Sequence, residues 1–284
     1  MELQSGFMKM RPLLFYIYSF KTIFMRPALA IICCLLFDAC MHVKVSTVDN
    51  WKDSLAKSIK QKEKLTDNVK SDLKDDIKSL VESGFYDKDE TLDQISDMYA
   101  DYQADSTWLK KTIDSDYNSR LMRQATWPAE TDFDKLAAAF DQLNARGIIA
   151  YHNAGPTRED GEDMCRELAD TLKTQGIKVK GYCFYHAQDI DRALSEKTLY
   201  IAFGDFKEDD NETIAIGSSV VKTLKALGFS VEWNGTAGAR IIIRNFQWQK
   251  RFGNTNCSYE RAVALLKKSA PYPPQTSKAF TLTN

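Results

Sequence analysis

The stretch that decides the fold lies between residues 147 and 203. It contains three short apolar runs, GIIAYH (147–152), GYCFYH (181–186) and LYIAF (199–203). Residues of these types fit a pleated backbone, and each run has the length of a strand. Apolar residues at helical spacing separate the first two runs, in a segment that ends at Gly176. The pattern predicts a strand–helix–strand unit followed by a third strand.

Downstream of this unit, a second helical segment runs up to Gly228 and is followed by SVEW (230–233) and RIIIR (240–244). The Asn234-Gly235 pair between these runs is a turn signal, so we expect a fourth strand and a fifth strand beside it. The element order β-α-β-β-α-β is that of the ferredoxin-like split βαβ arrangement. We therefore predict an α+β fold with a ferredoxin-like sheet over residues 147–252 and a fifth edge strand.

Helical periodicity marks the chain on both sides of this domain. Residues 47–146 predict a helical region, in which Asp87 and Thr131 have the spacing of N-terminal caps. The charged faces of these helices either bind a partner or are simply solvated. Residues 253–284 predict one more helix, from about Ser258 to Lys268, and a mobile tail.

The composition is that of a soluble globular protein. Hydrophobic residues make up 44% and charged residues 27% of the 284-residue chain. The formal net charge of −1 gives no bulk attraction to nucleic acid, so no nucleic-acid partner is indicated. The six cysteines include no CxxC pair and no zinc-type spacing with histidine. This usage favours reduced thiols and a cytoplasmic location for the folded body.

The first 40 residues (1–40) form a separate apolar segment. Its central run, Pro27 to Phe37, is too short to span a membrane and fits the apolar core of a signal peptide. The Ala39-Cys40 pair resembles the end of a lipoprotein signal, in which Cys40 would carry the lipid. Alternatively, translation starts at Met41. Membrane association is expected only if residues 27–40 act as a signal or anchor, which leaves export as the alternative to the cytoplasm.

The predicted topology places a set of polar residues at one edge of the sheet. The first two strands end at His152 and His186, and the loops that follow add amide and carboxylate groups. The candidate pocket consists of His152, Asn153, Asp160, Asp163, His186, Gln188 and Asp189. With an antiparallel strand between the first two strands, the two histidines should lie about 10 Å apart, or two strand spacings.

Two chemical roles fit this set of residues. Two imidazoles beside carboxylates suit acid–base catalysis near neutral pH, and His152 and His186 could also bind a divalent metal. The structural alternative is that the histidines fix loop conformation by hydrogen bonding and that Asp160 and Asp189 cap helices. No cofactor motif is evident, because the nearby glycines lack the pattern and the lysine of a phosphate-binding loop.

The aromatic residues of the strands also allow two interpretations. They either form a platform on which bases stack or pack beneath the helices. These residues are Tyr182, Phe184, Tyr185, Tyr200 and Trp233. The glycine-rich, basic signature of a base-stacking platform is missing, which favours packing, and Cys183 is predicted to lie in the core.

Several motifs resemble a bacterial family of unknown function. They occur in one order along the chain: YHNAG (151–155), DGED (160–163), GYCFYH (181–186) with Gln188-Asp189, AFG (202–204), EWNGT (232–236) and Trp248-Gln249. Together they resemble domain-of-unknown-function family 6891 over about residues 71–252. The resemblance implies a fold and its boundaries and no assigned activity. Pro156 and Ala187 depart from the expected pattern beside the candidate pocket.

From these observations we expect a non-enzymatic module that takes part in a protein interaction or in regulation. The reason is the combination of a small sheet, covering helices and no catalytic motif. The alternative is an enzyme or a metal-dependent binder of a small ligand that uses His152 and His186. It predicts a pocket that holds both imidazoles about 4–7 Å apart.

Overall fold

The computed structural model describes residues 62–269. The predictions of a signal segment, of a lipidated Cys40, of a start at Met41 and of a C-terminal tail concern residues outside this range. Within the range, none of the helices is long and apolar enough to cross a membrane.

Eight helices and seven strands make up the described part of the chain. The helices are α1 (Asp67–Ser83), α2 (Lys88–Met98), α3 (Ser106–Gln124), α4 (Asp132–Asn144), α5 (Arg158–Thr174), α6 (Ala187–Glu196), α7 (Asp210–Ala226) and α8 (Tyr259–Ser269). The strands are β1 (Glu63–Lys64), β2 (Tyr102–Gln103), β3 (Ile148–Tyr151), β4 (Gly181–Phe184), β5 (Thr198–Gly204), β6 (Ser230–Glu232) and β7 (Ile241–Arg244).

Local sequence determines where the first helices begin and end. The Asp87 carboxylate accepts a hydrogen bond from the Glu90 N–H at 2.8 Å, and the Thr131 hydroxyl accepts one from the N–H of Asp134 at 3.2 Å. Both predicted N-terminal caps are therefore confirmed. Helix α1 ends at Gly84, which has a φ of 75° in the left-handed region that glycine adopts without strain.

The main sheet has five strands in the order β3-β4-β5-β7-β6. The β3–β4 pair is parallel, with Ile148 opposite Gly181, and every other neighbouring pair is antiparallel. The predicted α+β class and the five strands of the sheet are confirmed. However, β6 and not β7 lies at the edge, because β7 pairs with β5 on one side and β6 on the other.

The ferredoxin-like topology is wrong for the first half of the sheet. That topology requires an antiparallel strand between β3 and β4, but the two strands are direct neighbours. The crossover through α5 therefore returns the chain to the adjacent position, and β5 adds to the free side of β4. The second half does have the split arrangement, because β7 lies between the mutually parallel strands β5 and β6.

Helices cover both faces of the sheet. On the face covered by α4 and α7, Phe140 and Val220 pack with Cys183, Leu199 and Ile201. On the face covered by α5 and α8, Leu168 and Leu266 pack with Ile149, Tyr182 and Phe184. Cys183 thus lies in the core as predicted, and the strand aromatics of both clusters are packed against helices instead of forming an open platform.

Helices α1 to α3 have a core of their own, formed by Leu73, Ile77, Val81, Ile95, Leu109 and Ile113. Residues 248–252, which we call the strap, connect this core to the sheet. Within the strap, the Trp248 indole donates to the carbonyl of Ser83 at 3.0 Å, and the buried Lys250 ammonium donates to the carbonyl of Gly84 at 2.7 Å. The Phe252 ring stacks on Tyr117 of α3, with centroids 3.9 Å apart.

Candidate functional site

The predicted residues come from two loops that follow the parallel strands β3 and β4, at the end of the sheet where both strands stop. Two backbone hydrogen bonds join the loops. The N–H of Ala154 donates to the carbonyl of Tyr185 at 2.9 Å, and the N–H of Ala187 donates to the carbonyl of Gly155 at 3.1 Å. The loops are therefore closer than predicted, because their strands are one spacing apart and not two.

His152 is half-buried on the face covered by α4. Its Nδ1 lies 2.8 Å from the hydroxyl of Tyr185, and its ring centroid lies 4.4 Å from that of Phe140. Burial, assisted by repulsion from the Lys250 ammonium, lowers the pKa of His152 to about 3. The imidazole is therefore neutral near pH 7 and holds no proton to donate as an imidazolium.

His186 has a different set of neighbours. It is the N-cap residue of α6, its Nε2 lies 3.2 Å from the carboxylate of Asp189, and its backbone N–H donates to the same carboxylate at 3.1 Å. Burial lowers the pKa of His186, and the negative charge of Asp189 partly opposes that shift. The side chain is 3% exposed, so the ring has little access to solvent.

The carboxylate of Asp189 is completely buried and already paired. Arg240 binds it in a bidentate manner, with Nη1 at 2.8 Å from one oxygen and Nη2 at 2.6 Å from the other. Arg192 lies 3.5 Å away. Asp189 caps α6 as predicted, and its oxygens are occupied by arginine and by backbone instead of facing an open pocket.

The remaining predicted residues do not converge on the histidines. Asp160 caps α5 by accepting hydrogen bonds from the N–H and hydroxyl of Thr157, at 3.0 and 2.7 Å. Asn153 has a φ of 50° and donates to the hydroxyl of Tyr86 at 3.3 Å. Asp163 and Gln188 are exposed. Within residues 62–269, no group of three or more histidine, cysteine, aspartate or glutamate side chains is arranged to hold a metal ion.

A concavity lies at the opposite end of β3 and β4, where these strands begin and β5 ends. This basal groove has a volume of about 730 Å³, within the range of ligand-binding clefts. Its apolar part is formed by Ile148, Val179, Phe206, Ala215 and Ile216. Its charged part is formed by Arg146, Lys180, Lys207, Lys222 and Glu212.

The cations of the basal groove differ in how far they are neutralised. Lys207 is paired with Glu212, its Nζ lying 2.9 Å and 3.2 Å from the two carboxylate oxygens. Among the described residues, Arg146 donates to the neutral oxygens of Thr223 and Gln142 and has no carboxylate partner. Lys180 and Lys222 have no ion pair within residues 62–269. The groove therefore has a net positive charge.

Sequence reasoning missed both Arg240 and the basal groove. Arg240 follows Asp189 by 51 residues, and only the position of β7 beside β5 brings the two together. The groove is assembled from the starts of β3 and β4, the end of β5 and one side of α7. A signal did exist, because Arg146 and Lys180 lie just before two predicted strands that run in the same direction.

The fold defines this chain as an α+β protein with a mixed five-stranded sheet and helices on both faces, an architecture that does not by itself specify an activity. The family described as a domain of unknown function (DUF6891) matches residues 66–252, which is more than half of the chain. The protein belongs to this family, in agreement with the resemblance of its motifs. No curated protein and no solved structure matches the chain.

Proposed function

We propose that this protein is a non-enzymatic binding module and that its basal groove contacts a partner protein. The observation that carries the proposal is the groove itself, a concavity of about 730 Å³ with an apolar part beside positive charges. Ligand-binding sites combine these features, because apolar surface supplies binding free energy and a few polar groups fix orientation.

Part of the groove is formed by α7 and by the start of β3, which are packed on the main core. The lining side of α7 is held by Ile216, which is buried in the main core, and Ile148 at the start of β3 belongs to the same core. Such a surface needs little ordering when a partner binds, and this lowers the entropic cost of association.

The competing hypothesis is an enzyme or metal-dependent small-ligand binder that uses His152 and His186. It has less support, because the His152 ring packs on Phe140 and contacts the hydroxyl of Tyr185, and the His186 ring contacts Asp189, whose oxygens are bound by Arg240. Both imidazoles thus have partners within the fold.

The test is to fill the groove without changing its charge. Ala215 is exposed on α7 and lines the groove, whereas Ser218 is exposed on the same helix outside the lining. The tagged full-length chain and its Ala215→Trp and Ser218→Trp variants are crosslinked in native cells, and recovered proteins are quantified by mass spectrometry. We expect Ala215→Trp to lower recovery of specific partners at least about fivefold and Ser218→Trp to retain it.

Circular dichroism and thermal unfolding establish first that both variants fold like the parent protein. Equal recovery of partners by all three proteins would overturn the proposal. So would the absence of any protein that is enriched over an untagged control.

A further inference from the structure

We infer that the segment bound in the basal groove is an acidic peptide segment that also has aliphatic side chains. This inference rests on the proposed function and names the chemistry of the partner. Its first support is charge. Three of the four cations in the lining, Arg146, Lys180 and Lys222, have no carboxylate partner within residues 62–269.

An acidic segment would supply the missing counter-charges. Carboxylates placed between Lys180 and Lys222 would gain attraction from both ammonium groups, and Arg146 adds a planar donor that suits a carboxylate. The protein as a whole has a formal net charge of −1, so the positive charge is a local property of this groove. Recognition would therefore depend on contact geometry more than on long-range attraction.

The apolar part of the groove requires that the ligand also has aliphatic groups. Ile148 and Ile216 form its buried floor, and the apolar surface open to a ligand belongs to half-buried Val179 and Phe206 and to exposed Ala215. Phe206 is the one aromatic residue among the lining residues. A purely acidic ligand would leave this surface wet and would forgo the free energy of burying it.

The same composition argues against nucleic acid as the ligand. Proteins that bind single strands stack successive bases on several aromatic side chains, and a single phenylalanine cannot provide such a series. The aromatic side chains Tyr182 and Phe184 are packed beneath α5, with Tyr182 against Phe206, and are buried.

The shape of the lining on α7 fits an extended segment. Residues Glu212, Ala215, Ile216, Ser219 and Lys222 line the groove. Their spacing places them on one side of the helix over about 15 Å. An extended chain covers that length with roughly four to five residues.

The test uses three short labelled peptides and the full-length protein, with binding measured by fluorescence anisotropy. The first peptide, Glu-Leu-Asp-Val-Glu-Leu, has both properties. The second, Gln-Leu-Asn-Val-Gln-Leu, lacks the charges, and the third, Glu-Ser-Asp-Ser-Glu-Ser, lacks the apolar groups. We expect the first peptide to bind at least about fivefold more tightly than either of the others.

Charge reversal locates the binding site. The double variant Lys180→Glu/Lys222→Glu should weaken binding of the first peptide at least about tenfold. The matched control, Lys110→Glu/Lys111→Glu, reverses two exposed lysines on α3 and should leave it unchanged. Circular dichroism of both double variants establishes that they fold.

Several outcomes overturn the inference. Equal binding of the three peptides, or equal loss in both double variants, shows that the groove does not select acidic, aliphatic segments. Tighter binding of a single-stranded RNA oligomer assigns the groove to nucleic acid, and a dimer that only Lys180→Glu/Lys222→Glu dissociates assigns it to a second copy of the chain. If the inference fails but Ala215→Trp still lowers the recovery of partner proteins from crosslinked cells, the proposed function stands. If Ala215→Trp does not lower that recovery, the proposed function fails as well.

Discussion

Desolvation controls the chemistry of His152. The aromatic groups around its ring, Phe133, Phe140 and Tyr185, cannot replace the hydration that an imidazolium ion loses. The buried ammonium of Lys250 adds repulsion, and together these effects lower the pKa from 6.5 to about 3. A histidine that looks like an acid–base group in the sequence is therefore a neutral packing residue whose one polar contact is with the hydroxyl of Tyr185.

This pKa predicts how stability depends on pH. Between pH 6.5 and about pH 3 the unfolded chain takes up a proton at His152 and the folded chain does not. The burial of neutral His152 therefore does not reduce the free energy of unfolding at a pH above the pKa of His152 in the unfolded chain. As the pH falls below that pKa, the free energy of unfolding decreases by at most about 1.4 kcal/mol per pH unit. His152→Gln retains an acceptor for Tyr185 and removes the titration.

Urea unfolding of the two proteins measures the effect. On going from about pH 7 to about pH 5, the parent protein should lose up to about 2 kcal/mol more than His152→Gln. All other titratable groups are the same in both proteins, so their contributions cancel in the difference. If the free energies of unfolding of the two proteins changed with pH in parallel, His152 would take up a proton in the folded protein as readily as in the unfolded chain.

Other residue roles could be predicted because they are local. Asp160 and Asp189 lie three residues into their capping boxes, and that spacing is visible in the sequence. The bidentate pair of Asp189 with Arg240 is not local, and neither is the contact of Arg146 with Thr223, which is 77 residues away. Such contacts depend on strand order, so the sequence could not predict them.

At the scale of elements, glycines define where helices stop, while nothing local defines which strands pair. Gly176 and Gly228, each predicted to end a helical segment, have a positive φ, and so do Gly84 and Gly147. The order of strands in the sheet was harder to predict from the sequence. The elements β3, α5, β4 and β5 follow one another along the chain in the same order in a ferredoxin-like sheet and in the sheet observed here. The edge strand β3 is also nearly fully buried, since α8 packs against it. Its amino-acid pattern therefore does not identify it as an edge strand.

Gly84 and Gly176 differ in what a side chain would meet at each position. Gly84 and Gly176 have φ values of 75° and 76°, so an alanine is similarly strained at both. At Gly84 an added Cβ would lie 2.8 Å from the carbonyl oxygen of Lys250 in the strap, whereas at Gly176 it would meet nothing within 4 Å. The strap therefore adds a packing requirement at the end of α1.

We expect Gly176→Ala to cost about 1 kcal/mol of unfolding free energy and Gly84→Ala about 3 kcal/mol or more. The difference arises because the backbone of Lys250 cannot move without breaking its bond with Arg120, whose Nη2 donates to that carbonyl at 2.8 Å. Urea unfolding of the two variants provides the comparison. Equal losses would show that the strap adjusts freely around α1.

At the scale of the whole molecule, the core of the helical region is joined to the sheet clusters by the strap and by direct packing of α1 on α6. The helices α1 to α3 enclose one core, and the sheet with α4 to α8 encloses the other two clusters. The strap contributes contacts to both sides, since Trp248 belongs to the sheet cluster and Phe252 packs on the helical cluster. The strap is thus one attachment of the helical region, beside the contact of α1 with α6, in which the Ser79 hydroxyl donates to Asp191. We expect weakening of the strap to let the helical region open without unfolding the sheet.

Removing the Phe252 ring tests this coupling. Phe252→Ala deletes the stack on Tyr117 and the contact with Arg120, whose guanidinium carbon lies 4.5 Å from the ring centroid. Amide hydrogen exchange should then become at least about tenfold faster in α1 and α3, while β4 and β5 keep their parent rates. The matched control, Phe229→Ala, removes a half-buried ring that packs on Phe246 in the sheet cluster, so it should leave α1 and α3 no more affected than the strands. If Phe252→Ala instead accelerated exchange equally in all elements, the two cores would unfold as one unit, because local opening of the helical region would then require global unfolding.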